Sequence, residues 1–575
     1  MLVAAALFAP ALLNAQFSEL ATMNDGGHLY FSSTLRWKGL APARAESRIY
    51  RVVENGGADL YAERGALAFQ FGGGSGDGAR NPQVSADGQT VALTLQGVCT
   101  SADPCMSNSE WRAEIHTEWF DRVLGNGAVF LSGNARWALF TPPPANPFDP
   151  KPAPDTLLIN LETDARTVVP TPPQFLAHPL ASDGSVIVQQ AGASGNPGVR
   201  LGIWKDGSVT PLILTGITNI WGRSDDGDVL LYSSVTPAAD VSSFRMDLRA
   251  RKLSTGDDIT VVRGAPGEVP QFMGVSGSGD RVLYRIAGRT LEGPAFVYDA
   301  STAKLTRIAL PDGELATDGT LSGLGNVAFL VTTTGRIARV DLNTSRITDA
   351  VPPTPYIRNS YQFAPGGLLR LDGTLPHDGA ALTNAISLDD RPLPILWTTP
   401  QEIAIQTPWE LAGRFEAPLR IDVETGSPFQ QNELVHVSGM APRFEGTPAV
   451  GVFLPGVAIA EDFSRVLDSD PQPGQVFHMY LTGLGTVQGT PPKTGTPTPA
   501  SPLFPIAGRI TCRFFPYTQD ADTLFAGLAP GLTAMYQVTF RMPDAASSPG
   551  KIAGGRCNVE SQNGGGSLIW GSMNP

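Results

Sequence analysis

Short apolar runs alternate with polar turns along most of this chain. Residues 83–94, QVSADGQTVALT, place a serine and an Asp-Gly turn ahead of an alternating β-rich run, the period of two that marks a half-buried strand. The arrangement returns as LASDGSVIVQQ from Leu180, GRSDDGDVLLYSS from Gly222 and GVSGSGDRVLYRI from Gly274. Aligned on the turn, the units begin at Asn24 to Gly27, Asp87-Gly88, Gly133-Asn134, Asp183-Gly184, Asp226-Gly227, Gly277 to Gly279 and Gly325-Asn326. They recur about every 43–62 residues, bracketing the length of a four-stranded propeller blade. Asp, Asn and Gly tolerate the positive φ of a two-residue hairpin, so each turn predicts a reversal between an inner strand and the next one out. A third strand follows most turns, as in LGIWKDGSVTPL from Leu201 and FVYDASTAKLTRI from Phe296, and several units carry a second turn and a short fourth strand.

One such sheet cannot bury both of its apolar faces, whereas a ring of them can, and the ring leaves no long exposed edge. The pattern therefore predicts an all-β fold with a seven-bladed β-propeller over residues 22–352; a pair of β-sandwiches with accidental turn spacing is the rival. The inner strand, serine, Asp-Gly turn and second strand together resemble the TolB-like, WD40-type propeller repeat, over about 330 residues. The second unit is lengthened by SNSEWRAEIHTEWFDRVLGNG, and Thr141 to Thr156 make a proline-rich excursion.

After Val351-Pro352-Pro353-Thr354-Pro355 the turn spacing disappears, which marks a domain boundary. Two further β-rich stretches follow, residues 356–440 and 446–575. Here WTTPQEIAIQTPWELAG (Trp397 to Gly413), HMYLTGLGTV (His478 to Val487), TPPKTGTPTPASPL (Thr490 to Leu503) and LFAGLAPGLTAMYQVTFRMP (Leu524 to Pro543) occur in order. These blocks resemble the uncharacterised C-terminal domain of secreted acidobacterial (Solibacter-type) proteins. The resemblance implies an exported modular protein with two Ig-like (IPT/TIG-like) β-sandwich modules, and it implies no activity. Read physically, the blocks are scaffolding, with Trp409 expected in the core.

The composition, 63 Gly and 49 Pro with 17% charged residues, favours short strands and tight turns over long helices. A formal net charge of −13 without any Lys/Arg cluster excludes nucleic acid and anionic lipid as natural partners. The first 15 residues, apolar from Leu2 to Leu13 and ending in a small residue, read as a signal peptide. No segment has the 18 unbroken apolar residues of a membrane span, so the expected destination is extracellular, surface or periplasmic. An even cysteine count in an exported chain suggests disulfides, with sequence distance favouring Cys99–Cys105 and Cys512–Cys557.

No catalytic, metal-binding or cofactor constellation is legible. The six histidines are scattered, no nucleophile elbow follows the repeats, and the Gly-rich runs lack a following Lys-Ser/Thr. SDDGD at Ser224 lacks the spaced oxygen ligands of a calcium loop. Trp111, Glu114, His116 and Trp119 in the enlarged second unit, with Trp221 and Arg223 before the fifth turn, form the candidate ligand face; strand alternation also accounts for these aromatics as core. The expected role is an exported, non-enzymatic scaffold binding a protein or glycan, with no cofactor. The alternatives are an envelope propeller enzyme of the lactonase or lyase kind using channel carboxylates, and a TolB-like periplasmic adaptor.

Overall fold

The computed structural model describes residues 17–44, 47–54, 57–63, 78–98, 110–142, 155–170, 179–190, 200–212, 214, 217–237, 244–287, 292–357, 362–374, 385–398, 402–444, 456–544, 552, 554–561 and 564–571. The expected signal peptide, the Cys99–Cys105 pair and most of the proline-rich excursion lie outside the described residues. Among the described residues, apart from short 3-10 turns at Pro311–Gly313 and Trp409–Leu411, the regular elements are all strands. The chain divides into two compact units. The first runs through Trp37 and over Ala45–Thr354 with Glu424–Phe429; the second takes Lys38–Arg44, Pro355–Val423 and the chain from Gln430.

The first unit holds seven antiparallel sheets in chain order. Six have four strands. They start at Ser18–Thr22, Gly78–Val84, Ala128–Leu131, Ile217–Arg223, Val269–Val275 and Ala316–Leu321, these being the first, second, third, fifth, sixth and seventh sheets. In the fourth sheet the described residues form three strands, Val186–Gln190, Arg200–Lys205 and Ser208–Leu212, with a Leu180–Val186 bridge ahead of them. Burial is graded across each sheet. Val327–Thr332, a second strand, is buried at every residue, whereas the outer strand Lys304–Arg307 is exposed at every residue.

Separate apolar cores fill the spaces between neighbouring sheets. Leu230 and Tyr232 of the fifth sheet pack with Ile187 and Leu201 of the fourth, while the intervening Leu231 packs with Val282 and Tyr284 of the sixth. Successive side chains of a strand point to opposite faces, so a strand buried on both sides reads as a continuous apolar run. Equivalent clusters join the first to the second sheet, the second to the third, the third to the fourth, and the sixth to the seventh.

The recurring serine has a mechanical role that composition alone does not reveal. Ser85 Oγ donates to Asp87 Oδ1 at 2.6 Å and accepts from Thr90 N at 3.0 Å, while Asp87 Oδ1 also accepts from Gln89 N. The same triangle forms at Ser132–Asn134 and Ser224–Asp226. These loops are longer than the two-residue hairpin expected: Ser85 N bonds Thr90 O across four intervening residues. One residue of each loop takes a positive φ, Gly88 at +75° and Gly227 at +80°, with Ala135 at +55° in the third. The aspartate instead binds the backbone two residues on, as Asx turns do.

In the second unit, Ile386–Leu388 and Glu416–Ile421 belong to one sheet, and Leu368–Thr374, Glu402–Gln406 and Ile395–Thr398 belong to another. Ile357, Leu371, Ile386, Ile403, Leu419 and Val435 share one core. A larger core collects Phe477, Phe514, Tyr536, Phe540 and Trp409. Within it Cys512 and Cys557 sit opposite each other on Arg509–Phe515 and Gly554–Ser561 and are joined by a disulfide. Trp409 is 8% exposed and its ring lies against Gly366, where an added Cβ would overlap it, in accord with a core role.

Candidate binding surface and the neck of the ring

The seven turns are linked into a circle. Asn24 N donates to Ala86 O (3.0 Å), Ala86 N to Gly133 O (2.6 Å), Asn134 Nδ2 to Ser182 O (2.8 Å) and Ser182 N to Asp225 O (2.8 Å). Asp226 N then donates to Gly277 O (3.2 Å), Gly277 N to Gly323 O (2.7 Å), and Leu324 N returns to Asn24 O (2.8 Å). The residue after each serine, or its equivalent, thus lines a neck composed of Asn24, Ala86, Gly133, Ser182, Asp225, Gly277 and Gly323. Side chains across it are complementary. A Cβ on Gly133 would lie 2.6 Å from Asp225 Cγ and one on Gly277 would lie 3.3 Å from Asp225 Oδ2, while Gly323 leaves room for the Asn24 amide. Asp225 keeps solvent contact, yet desolvation by the surrounding atoms, with the charge of Asp226, raises its carboxyl pKa.

Deeper in the same unit the first strands are irregular. Register breaks fall between Ser18 and Ala21, between Arg80 and Gln83, and between Ala316 and Asp318, and bulges of this kind re-aim side chains. Glu19 and Asn81 both have φ +54°. Glu19 Oε2 accepts from Asn81 N and from Ser32 Oγ, each at 2.7 Å. Asp318, pushed up by burial, accepts from Gly319 N at 2.8 Å and feels the charges of Arg285 and Glu19. Among the described residues no group of three or more His, Cys, Asp or Glu side chains is placed to hold a metal ion.

The sequence-derived ligand face does not assemble as one surface. Glu114 and His116 share a face of Glu110–Thr117 with Arg112, as alternate strand residues must. His116 Nε2 meets Glu114 Oε2 at 3.0 Å and Nδ1 meets Asp121 Oδ1 at 2.8 Å, while Arg112 Nε reaches Glu114 Oε1 at 2.5 Å. Asp121 is the cross-strand partner of His116, and the Tyr61 ring of the first sheet lies 6.1 Å away. Both ring nitrogens face carboxylates, an arrangement that favours the doubly protonated imidazolium. The Glu114 hydrogen bond, against partial burial, raises the His116 pKa, aided by Asp121. Glu114 is buried, which alone would raise its pKa, but His116 and Arg112 outweigh that and lower it.

Trp111 occupies the same strand, but its side chain lies outside the described residues. Trp221 is the extra residue of a bulge and donates its indole N–H to Ser233 Oγ. Arg223, 7% exposed, donates to Gly227 O at 2.7 Å and Ser185 Oγ at 2.9 Å, clamping the fifth turn to the fourth sheet. At SDDGD, Asp226 binds Ser224 and the Asp228 amide, and Asp228 binds Ser254, so the carboxylates serve the turn.

The open aromatic surface lies at the tip of the hairpin after Glu110–Thr117. Trp119 is 83% exposed and Phe120 55%, and Val123 on the following strand is 57% exposed. Thr117 Oγ1 accepts from Trp119 N and Phe120 N and donates to Phe120 O, which fixes the tip. Sequence reading singled out Trp119 but not Phe120 or Val123, although WF beside a two-strand register was the available signal.

No family model matches the chain, and no curated protein matches it. Among solved structures, the β-propeller domain of the Trilobed protease from Pyrococcus furiosus aligns at 10% identity and TM-score 0.41, covering 59% of this chain and 99% of that one. The oligogalacturonate lyase from Vibrio parahaemolyticus aligns at 12% identity and TM-score 0.35 over 55% and 86%. The C-terminal WD40 domain of Sif2 aligns at 11% and 0.34 over 57% and 96%. Scores this low carry no functional inference. The first unit is propeller-type on its own topology, small antiparallel sheets in chain order with their turns linked in a circle.

Proposed function

We propose that the chain is an exported modular binding protein, a closed seven-bladed β-propeller followed by two Ig-like modules of the secreted acidobacterial type. Its first unit engages a protein or glycan through the Trp119–Phe120 tip. The carrying observation is a rigid turn that holds two large aromatic side chains in solvent, where an indole face offers contact area at low conformational cost. A neck occupied mainly by Gly, Ala, Ser and Asn supports binding over turnover, because it brings few titratable groups together. The test is a glycan array and a cross-linking screen with envelope extract, run on wild type and Trp119→Ala/Phe120→Ala. Retention should fall at least about tenfold, the scale of an aromatic anchor at an interface, with thermal stability unchanged. Equal retention by the variant, or none by wild type, overturns the tip as the contact.

One feature favours the enzymatic alternative: the Asp225 carboxylate reaches between Gly133 and Gly277 of other turns at the neck, and desolvation there raises its pKa, as a general acid requires. Turnover of a lactone or uronate polymer that is abolished in Asp225→Asn would replace the scaffold reading.

A further inference from the structure

The second unit carries a cleft of about 410 Å³ lined by Arg391, Pro392, Leu393, Pro394, Ile395, Pro408, Glu410, Lys493 and Thr494. That volume lies in the range of small-molecule sites. Its walls come from segments distant in sequence and fixed to one another. Trp409 N donates to Thr494 Oγ1 at 3.3 Å, Gly495 N donates to Gln406 Oε1 at 2.5 Å, and Gly495, at φ +86°, packs against Pro394 closely enough that a Cβ would sit 3.0 Å from the proline Cβ. Two of the four sequence blocks, Trp397 to Gly413 and Thr490 to Leu503, therefore meet here. Pro392, Pro394, Pro408 and Ile395 give the cleft an apolar wall with little conformational freedom to lose.

The charged groups at this cleft are unevenly satisfied. Glu410 Oε2 accepts from Thr494 Oγ1 at 3.3 Å. Among the described residues no carboxylate lies within ion-pair distance of Lys493, which is exposed. Arg391 has only a 3.9 Å approach to Asp389, whose other oxygen takes Arg414 Nη1 at 2.6 Å. An acidic protein thus presents two weakly compensated cations beside a preformed proline wall.

We propose that this cleft binds a small amphipathic carboxylate, its apolar body against the prolines and its carboxylate on Lys493 and Arg391. Preformed apolar contact supplies most of the affinity, and the cations select the charged end group. Every lining residue of the cleft belongs to the second unit.

The test titrates the full chain with naphthalene-2-carboxylate and with its neutral isostere naphthalene-2-carboxamide, using ligand-observed NMR and calorimetry. Wild type should prefer the carboxylate by about three- to tenfold, the scale of two partly exposed ion pairs, and the preference should shrink at 0.5 M salt. Lys493→Ala/Arg391→Ala should bind both compounds equally, whereas Lys304→Ala, at an exposed cation of the first unit, should behave as wild type. Equal binding of the two compounds by wild type, a preference that survives the double substitution, or no saturable binding of either compound overturns the proposal.

Discussion

His116 is a side chain whose protonation bears on stability near neutral pH. Each of its ring nitrogens has a carboxylate partner, and its pKa is raised above the ordinary value of 6.5. A raised folded-state pKa means the folded protein holds the proton more tightly than the unfolded chain. The stabilisation is therefore complete below pH 6.5 and is lost as pH climbs through the raised value. Glu114, lowered, contributes in the opposite sense: its share is present above the normal glutamate range and lost as pH falls through its folded value. His116→Gln should cost on the order of 1 kcal/mol at pH 6, typical of a partly exposed charge-assisted bond. Its melting temperature should converge on that of wild type as pH rises through the raised value. A constant difference across that range would show that His116 acts through packing against Tyr61 rather than through its charge.

At the scale of the element, the Ser-x-Asp-Gly turn was legible because each residue type has one structural task. Serine caps the following strand, aspartate binds the amide two residues on, and glycine takes the left-handed φ. The third turn departs from that pattern: Ala135 stands at φ +55° where its sisters have glycine, and an L-residue is strained there. Ala135→Gly should stabilise the protein by roughly 0.5 kcal/mol, the relief of strain exceeding the added flexibility of the unfolded chain. Ser85→Ala should cost about 1–2 kcal/mol by leaving the buried Thr90 amide without an acceptor. Urea titration of both variants measures the pair, and a destabilised Ala135→Gly would refute the strain. What the sequence could not disclose depended on which elements become neighbours. The Gly133 and Gly277 gaps serve Asp225 of another turn, Arg223 answers to Ser185, and the cleft joins Arg391 to Lys493. The Trp221 bulge also shifts the period of two that placed this residue on a ligand face.

Across the first unit as a whole, the circle of turns has one junction unlike the others. Six link sheets that are adjacent along the chain; the seventh, Leu324 to Asn24, joins residues near its two ends. Among the described residues no strand is shared across it, since the first sheet is built from Ser18 to Ala62 and the seventh from Ala316 to Val351. It is held by that hydrogen bond, by Arg339 Nη2 on Glu54 Oε1 at 2.8 Å, and by Val327 packed over Gly26. Closing so long a loop is entropically the costliest of the seven contacts, so loss of packing here should open the unit sooner than elsewhere. Gly26 and Gly207 make a controlled pair. Both have left-handed φ, +74° and +82°, but a Cβ on Gly26 would lie 2.8 Å from Val327 Cβ, whereas one on Gly207 meets nothing within 4 Å. Gly207→Ala should cost about 1–2 kcal/mol from backbone strain alone, while Gly26→Ala should cost about 1–3 kcal/mol more from overpacking. In hydrogen exchange, Gly26→Ala should also speed the amides of Ser18–Thr22 and Ala316–Leu321 selectively. Equal costs with uniform exchange would mean that this junction carries no special burden and that the unit opens as readily between any two sheets.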